Sequence, residues 1–136
     1  MKKVAVVYWS GTGNTEAMAQ AVKEGCNGEL IPAGQFGPEK VDAYEAIAFG
    51  CPAMGDEQLE EDEFQPMWDA VKPVLGDKPI GLFGSYSWAE GQWMQNWKED
   101  AEASGLKILV DPVICYDQPE DDALEQCKQL GESLAE

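Results

Sequence analysis

The chain contains no histidine and no arginine, so all nine of its basic residues are lysine. Three classes of chemistry are excluded with them. A Ser-His nucleophile needs an imidazole to take the hydroxyl proton. A histidine-ligated metal needs the same ring as a neutral donor. Phosphoryl transfer assisted by an arginine finger needs a guanidinium. Positive charge is scarce altogether: 26 acidic residues face 9 basic ones, for a net charge of −17. Nucleic acid and anionic membrane surfaces are poor partners for such a field. A basic protein is a good one, because the field raises its encounter rate. The same charge favours solubility and a monomer.

Other absences narrow the class further. No apolar run approaches the roughly 18 residues that span a bilayer. The opening MKKVAVVYW has two lysines and a short apolar run with no small-residue cleavage site after it, so it reads as a mature strand and not as a leader. Cysteines stand at 26, 51, 115 and 127 with no CxxC and no zinc-ribbon spacing. They read as buried free thiols, which suits a reducing compartment and hence the cytoplasm. With 136 residues and 44% hydrophobic content, the chain is expected to form one domain, residues 1–136, with a substantial core.

Two periodicities alternate along that chain. Apolar, β-branched runs occupy 2–9, 29–32, 46–51, 79–86 and 107–116. Between them, apolar residues recur at helical spacing: Met18, Ala21, Val22, Gly25 and Cys26; Phe64, Met67, Trp68, Val71, Val74 and Leu75; Met94, Trp97 and Ala101; Ala123, Cys127, Leu130 and Leu134. A short helix is expected around 38–42. Five strand–helix alternations imply right-handed crossovers and a parallel sheet with helices on both faces, an α/β architecture in three layers. The runs at 46–51 and 79–84 lack polar alternation, as strands buried on both faces do. Ligands in such sheets bind beyond the carboxyl ends of the strands. That rule selects the loops at 9–15, 51–63 and 85–93.

The first loop is Ser10-Gly11-Thr12-Gly13-Asn14-Thr15, between a strand and a helix. Glycines let backbone approach a ligand, hydroxyls add donors, and the helix start supplies free N–H groups and partial positive charge. The combination suits a phosphate held by neutral donors. Known phosphate loops can be tested against it. A Walker loop needs a lysine that is missing. A dinucleotide fingerprint needs a third glycine where Glu16 stands. A low-molecular-weight tyrosine phosphatase needs a cysteine and an arginine here. The plainer alternative is a helix start capped by Asn14 or Thr15.

The loop SGTGNT, with CPAMGDEQLEEDEF at 51–64 and GSYSWAEGQWM at 84–94, resembles the flavodoxin family, in particular its short-chain members. The resemblance covers essentially the whole chain and implies a doubly wound five-stranded parallel sheet of order 2-1-3-4-5. It also implies one non-covalently bound flavin mononucleotide (FMN). Ser10, Gly11, Thr12, Gly13, Asn14 and Thr15 would hold its phosphate. Ala53, Met54, Gly55, Asp56 and Glu57 would form the loop at the flavin N5 and pyrimidine edges. A Gly55 carbonyl turned toward the N5 proton would stabilise the half-reduced flavin by roughly 0.5–1.5 kcal/mol, about 20–65 mV for one electron. Glu57 would accept from N3–H, and Met54 would pack on the inner ring face. From the third loop, Trp88 would stack on the outer face. Tyr86 is the alternative stacking residue, and Ser85, Ser87 and Gly91 would meet the phosphate, ribityl chain or ring edge. Trp93 and Met94 belong either to that loop or to the helix that follows. Tyr116, Asp117 and Gln118 are placed near the dimethylbenzene edge.

Acidic residues crowd the same end: Asp56, Glu57, Glu60, Glu61, Asp62 and Glu63, then Asp117, Glu120, Asp121 and Asp122. At about 10 Å and an effective dielectric of about 40, each opposes a negative flavin by roughly 0.8 kcal/mol before screening. The expected function is therefore a low-potential one-electron carrier, cycling mainly between semiquinone and hydroquinone and steered toward basic redox proteins. The alternative is an FMN-dependent NAD(P)H or quinone reductase of related fold. The binding-module rival is a receiver-like domain or a flavodoxin-like one that has lost its cofactor; against the receiver, Tyr8-Trp9-Ser10 and Gly50-Cys51-Pro52 stand where its acids would be.

Overall fold

The computed structural model describes residues 2–11, 13–53, 59–86 and 91–136. Strands β1 (Val4–Tyr8), β2 (Glu29–Pro32), β3 (Ala46–Gly50), β4 (Pro79–Tyr86) and β5 (Lys107–Ile108) form one parallel sheet in the order 2-1-3-4-5. The register is continuous: Val6 pairs with Leu30 on one side and Ala48 on the other, and Phe49 pairs with Leu82. The apolar run 107–116 is not one strand. It splits into β5 and β6 (Val113–Tyr116), and both pieces pair with β4. Leu109 N–H still reaches the Ile80 carbonyl at 2.9 Å. Pro112 then lacks an N–H and restricts Asp111, so the ladder lapses until Val113.

Side-chain alternation sends successive residues to opposite layers. Val4 and Val6 of β1, with Ala46 and Ala48 of β3, face helices α1 (Asn14–Cys26) and α5 (Asp121–Ala135). Ala5, Val7, Ile47 and Phe49 face α3 (Phe64–Val71) and α4 (Gln92–Ala103). Both faces of β3 are covered, which is why its sequence shows no polar alternation. A single turn, α2 (Pro38–Val41), closes the crossover after β2. The apolar stripe 64–75 does not remain α-helical. Pro73 ends it in a 3-10 turn, Lys72–Val74, and leaves Val74 half exposed. Among the described residues, no helix is long and apolar enough to cross a membrane.

The α3–α4 layer is built from indoles and phenyls meeting edge to face. Trp68 stands on Phe49 at 5.2 Å and on Trp97 at 5.7 Å, and Phe64 meets Trp97 at 5.4 Å. Such pairs add about 0.5–1.5 kcal/mol each beyond burial. Trp68 Nε1 donates to Asp100 Oδ2 at 3.0 Å, and Lys72 Nζ pairs with the same oxygen at 3.0 Å. Partial burial works against the Asp100 carboxylate, but the indole N–H and the ammonium outweigh it and hold its carboxyl below the ordinary 3.8. A depressed carboxyl contributes stability above its unfolded value and loses it as pH falls. At pH 7, Trp68→Phe is expected to cost about 1–3 kcal/mol from lost volume and the lost bond to a charge. Urea unfolding from pH 7 to pH 3 should show this gap narrowing. A constant gap would separate the indole from the titration of Asp100.

Candidate cofactor site

Three chain segments leave the sheet at its carboxyl end, and backbone bonds hold them side by side. Trp9 N–H donates to Gly50 O at 3.1 Å, Cys51 N–H to Phe83 O at 3.2 Å, Ala53 N–H to Ser85 O at 3.0 Å, and Asp117 N–H to Tyr86 O at 2.6 Å. The points where the three loops leave the sheet, at Trp9, at Cys51 and Ala53, and at Ser85 and Tyr86, are thereby brought together, with Asp117 beside them.

In the first loop, Gly13 is the N-cap of α1, so the helix is capped by neither Asn14 nor Thr15. Its φ of 94° lies in the left-handed region, where a side chain is strained. A glycine cap cannot itself satisfy the first-turn N–H groups. Gly13 N–H donates to Ser10 Oγ at 3.0 Å, which curls the loop back on itself. A Cβ on Gly13 would meet none of the described residues within 4 Å, so among them the space at the helix start is open. Gly11 lies against the Trp9 ring, where an added Cβ would sit 3.1 Å from the indole. Gly11 and Gly13 are exposed, Ser10 and Asn14 half-buried, and Thr15 buried. Both threonines of the chain, Thr12 and Thr15, fall in this loop.

Thr15 ties the first loop to the third. Its Oγ1 lies 3.5 Å from Ser85 Oγ, and both residues are buried. Tyr86 packs between Trp93 at 5.7 Å and Tyr116 at 5.6 Å. Tyr116 is 66% exposed, and Asp117 turns the chain at a left-handed φ of 57°. Gly91 is the N-cap of α4, so Trp93 and Met94 belong to that helix and are buried in it. Ala53 is half-buried at the start of the second loop. Thr12, Met54, Gly55, Asp56, Glu57, Ser87 and Trp88 lie outside the described residues.

Sequence reasoning missed three side chains. Trp9 props the first loop and donates from Nε1 to Glu63 Oε1 at 3.2 Å, bridging to the start of α3. Trp93 Nε1 donates to the Cys51 carbonyl at 3.2 Å. Glu60 is not part of the acidic rim: only 4% of it is exposed, while Glu61, Asp62 and Glu63 are exposed. Its carboxylate accepts the N–H groups of Asp62 at 2.7 Å and of Glu63 and Phe64 at 2.8 Å. An acid four residues ahead of an apolar helix is a readable capping signal, but three neighbouring acids mask it. The thiols are free among the described residues, as expected, although Cys115 is half-buried and not buried. Burial pushes Cys51 and Cys127 up to about 12 and, with Asp117 adding to it, Cys115 up to about 11, so all three stay protonated at neutral pH.

The donor set fits a phosphate group: an open, glycine-capped helix start of 13 residues, hydroxyls of Ser10 and Thr15, and no charged side chain from 10 to 15. The aromatic surface of Tyr86 and Tyr116 beside it fits a flat ring system.

Comparison with known proteins agrees with this geometry. A family model described as Flavodoxin matches residues 6–131. A flavodoxin from Megasphaera elsdenii is 39% identical, with 97% of this chain and 98% of that one aligned. A flavodoxin from Clostridium beijerinckii is 36% identical over 96% and 97% of the two chains. The solution structure of two-electron reduced M. elsdenii flavodoxin superposes with a TM-score of 0.88, at 39% identity over 97% of this chain and 98% of that one.

Proposed function

The chain belongs to the flavodoxin family, and from that premise we propose that it binds one FMN and carries single electrons at low potential, working mainly between semiquinone and hydroquinone. It acts as a single domain over 1–136, as a monomer in the cytoplasm, and exchanges electrons with basic redox proteins. The observation that carries the reading is the neutral start of α1, where Gly13 leaves open space and Thr15 is held against Ser85 across 70 residues of chain.

FMN supplies the redox chemistry when bound, and the protein supplies binding, orientation and field. Ser10, Thr12 and Thr15, with the first-turn amides of α1, would hold the phosphate by neutral donors. Ser85 fixes the Thr15 hydroxyl so that it is placed before the ligand arrives. Tyr86 and Tyr116 would border the ring edge, and Trp88 would be the residue that stacks on the outer face. By family resemblance, Ala53, Met54, Gly55, Asp56 and Glu57 would serve the N5 and pyrimidine edges, with Gly55 contributing a carbonyl and Glu57 a carboxylate. Exposed Glu61, Asp62, Asp117, Glu120, Asp121 and Asp122 ring that end and oppose added negative charge.

Stepwise anaerobic reduction followed by visible absorbance tests this. A yellow oxidised protein that turns blue before it bleaches supports the one-electron carrier. Bleaching without a radical species, together with turnover of NAD(P)H, would make it a two-electron reductase instead.

A further inference from the structure

The second loop leaves the sheet at Cys51 and returns at Glu60, and these two residues hold each other. Glu60 N–H donates to Cys51 Sγ at 3.3 Å, and the Cys51 thiol donates onward to Pro52 O at 3.5 Å. Each end is then fixed to a different layer. Cys51 donates its N–H to Phe83 O at 3.2 Å in the sheet and accepts the Trp93 indole of α4 at 3.2 Å. Glu60 accepts three amides at the start of α3 through its carboxylate, and its carbonyl takes the Gln65 N–H at 2.7 Å. Cys51 is fully buried and Glu60 nearly so. The carboxylate satisfies more amides than a plain helix cap does, and its own backbone closes the loop at the same time.

We infer that Glu60 and Cys51 are positioning residues that form a clasp joining the two ends of the second loop, and that FMN binding depends on this clasp. The inference rests on the FMN reading above. Energetically, an ordered neck removes part of the ordering cost that ligand binding would otherwise carry. Loosening the clasp should weaken FMN binding even though neither residue touches the ring.

Two variants and two measurements test this on the full chain. Cys51→Ala removes the sulfur acceptor and leaves the α3 cap intact. Glu60→Gln keeps the carbonyl oxygen and exchanges the second acceptor for an amide donor. Amide hydrogen exchange is read on the flavin-free protein, and FMN affinity by quenching of flavin fluorescence. Both variants are expected to show faster exchange at Glu60 and Ala53 and to bind FMN about tenfold more weakly, or ~1.4 kcal/mol. Faster exchange confined to Asp62, Glu63 and Phe64 in Glu60→Gln, with unchanged FMN affinity in both variants, would reduce Glu60 to a helix cap and overturn the inference. Wild-type protein that takes up no FMN would instead overturn the cofactor reading, and the clasp's purpose with it.

Discussion

Gly131→Ala should lower the stability of the protein by about 3 kcal/mol and its Tm by on the order of 10 °C. Helix propensity alone predicts the opposite, because alanine in a helix interior is favoured over glycine by roughly 0.5–1 kcal/mol. Space decides the sign. A Cβ on Gly131 would lie 2.1 Å from the Val22 carbonyl oxygen and 3.0 Å from the Cys26 amide nitrogen, both backbone atoms of α1. The contact is reciprocal, since a Cβ on Gly25 of α1 would lie 1.9 Å from the Lys128 carbonyl of α5. Backbone cannot swing aside as a side-chain tip can. The two helices would have to part, and Met18, Val22, Leu130 and Leu134 beneath them would lose contact with the sheet. Gly105→Ala is the control. It has a φ of 79° and none of the described residues within 4 Å of the added carbon, so its cost is conformational and about 1 kcal/mol. Urea unfolding of the three proteins checks the order. Gly131→Ala as stable as wild type would show that the crossing yields at little cost.

The second large effect is electrostatic. Changing Glu61, Asp62, Asp117 and Glu120 together to their amides is expected to raise the midpoint of the second FMN reduction by roughly 100 mV. The four side chains are exposed and stand where β6 ends, where α5 begins and where the second loop enters α3. Each is assigned roughly 0.8 kcal/mol against a negative flavin, about 35 mV per charge, and screening trims the sum. The first reduction should move less, because proton uptake leaves the ring neutral at that step. Spectroelectrochemistry at low and high salt reads both midpoints. The difference between variant and wild type should shrink as salt rises. A second midpoint that stays in place would show that these four charges do not set it. Glu60 belongs outside this set, because its charge is already shared among three amides.

Much of the architecture is legible before any coordinates, for a local reason. Period-2 and period-3.6 patterns report which residues face the core, and the buried strands β3 and β4 appear as unbroken apolar runs. The first loop is legible for the same reason: SGTGNT carries its chemistry in consecutive residues. Legibility fails where the outcome depends on a distant neighbour. The apolar run 107–116 hides the lapse at Pro112, because Lys107–Ile108 and Val113–Tyr116 each find a partner on β4 regardless. The stripe 64–75 likewise hides the 3-10 turn at Pro73.

By itself, then, the sequence determined the layers, the strand order expected of its family, the uncharged, glycine- and hydroxyl-rich composition of the first loop and the exclusion of histidine and arginine chemistry. Composition and short-range spacing carry all of these. Only the tertiary structure decided which glutamate of a four-acid run is buried, that Thr15 meets Ser85, that Trp9 bridges two loops and that Gly25 and Gly131 set the distance between α1 and α5. Neighbouring carboxylates are chemically alike along the chain. They become different only when folding brings amides to one and water to the others.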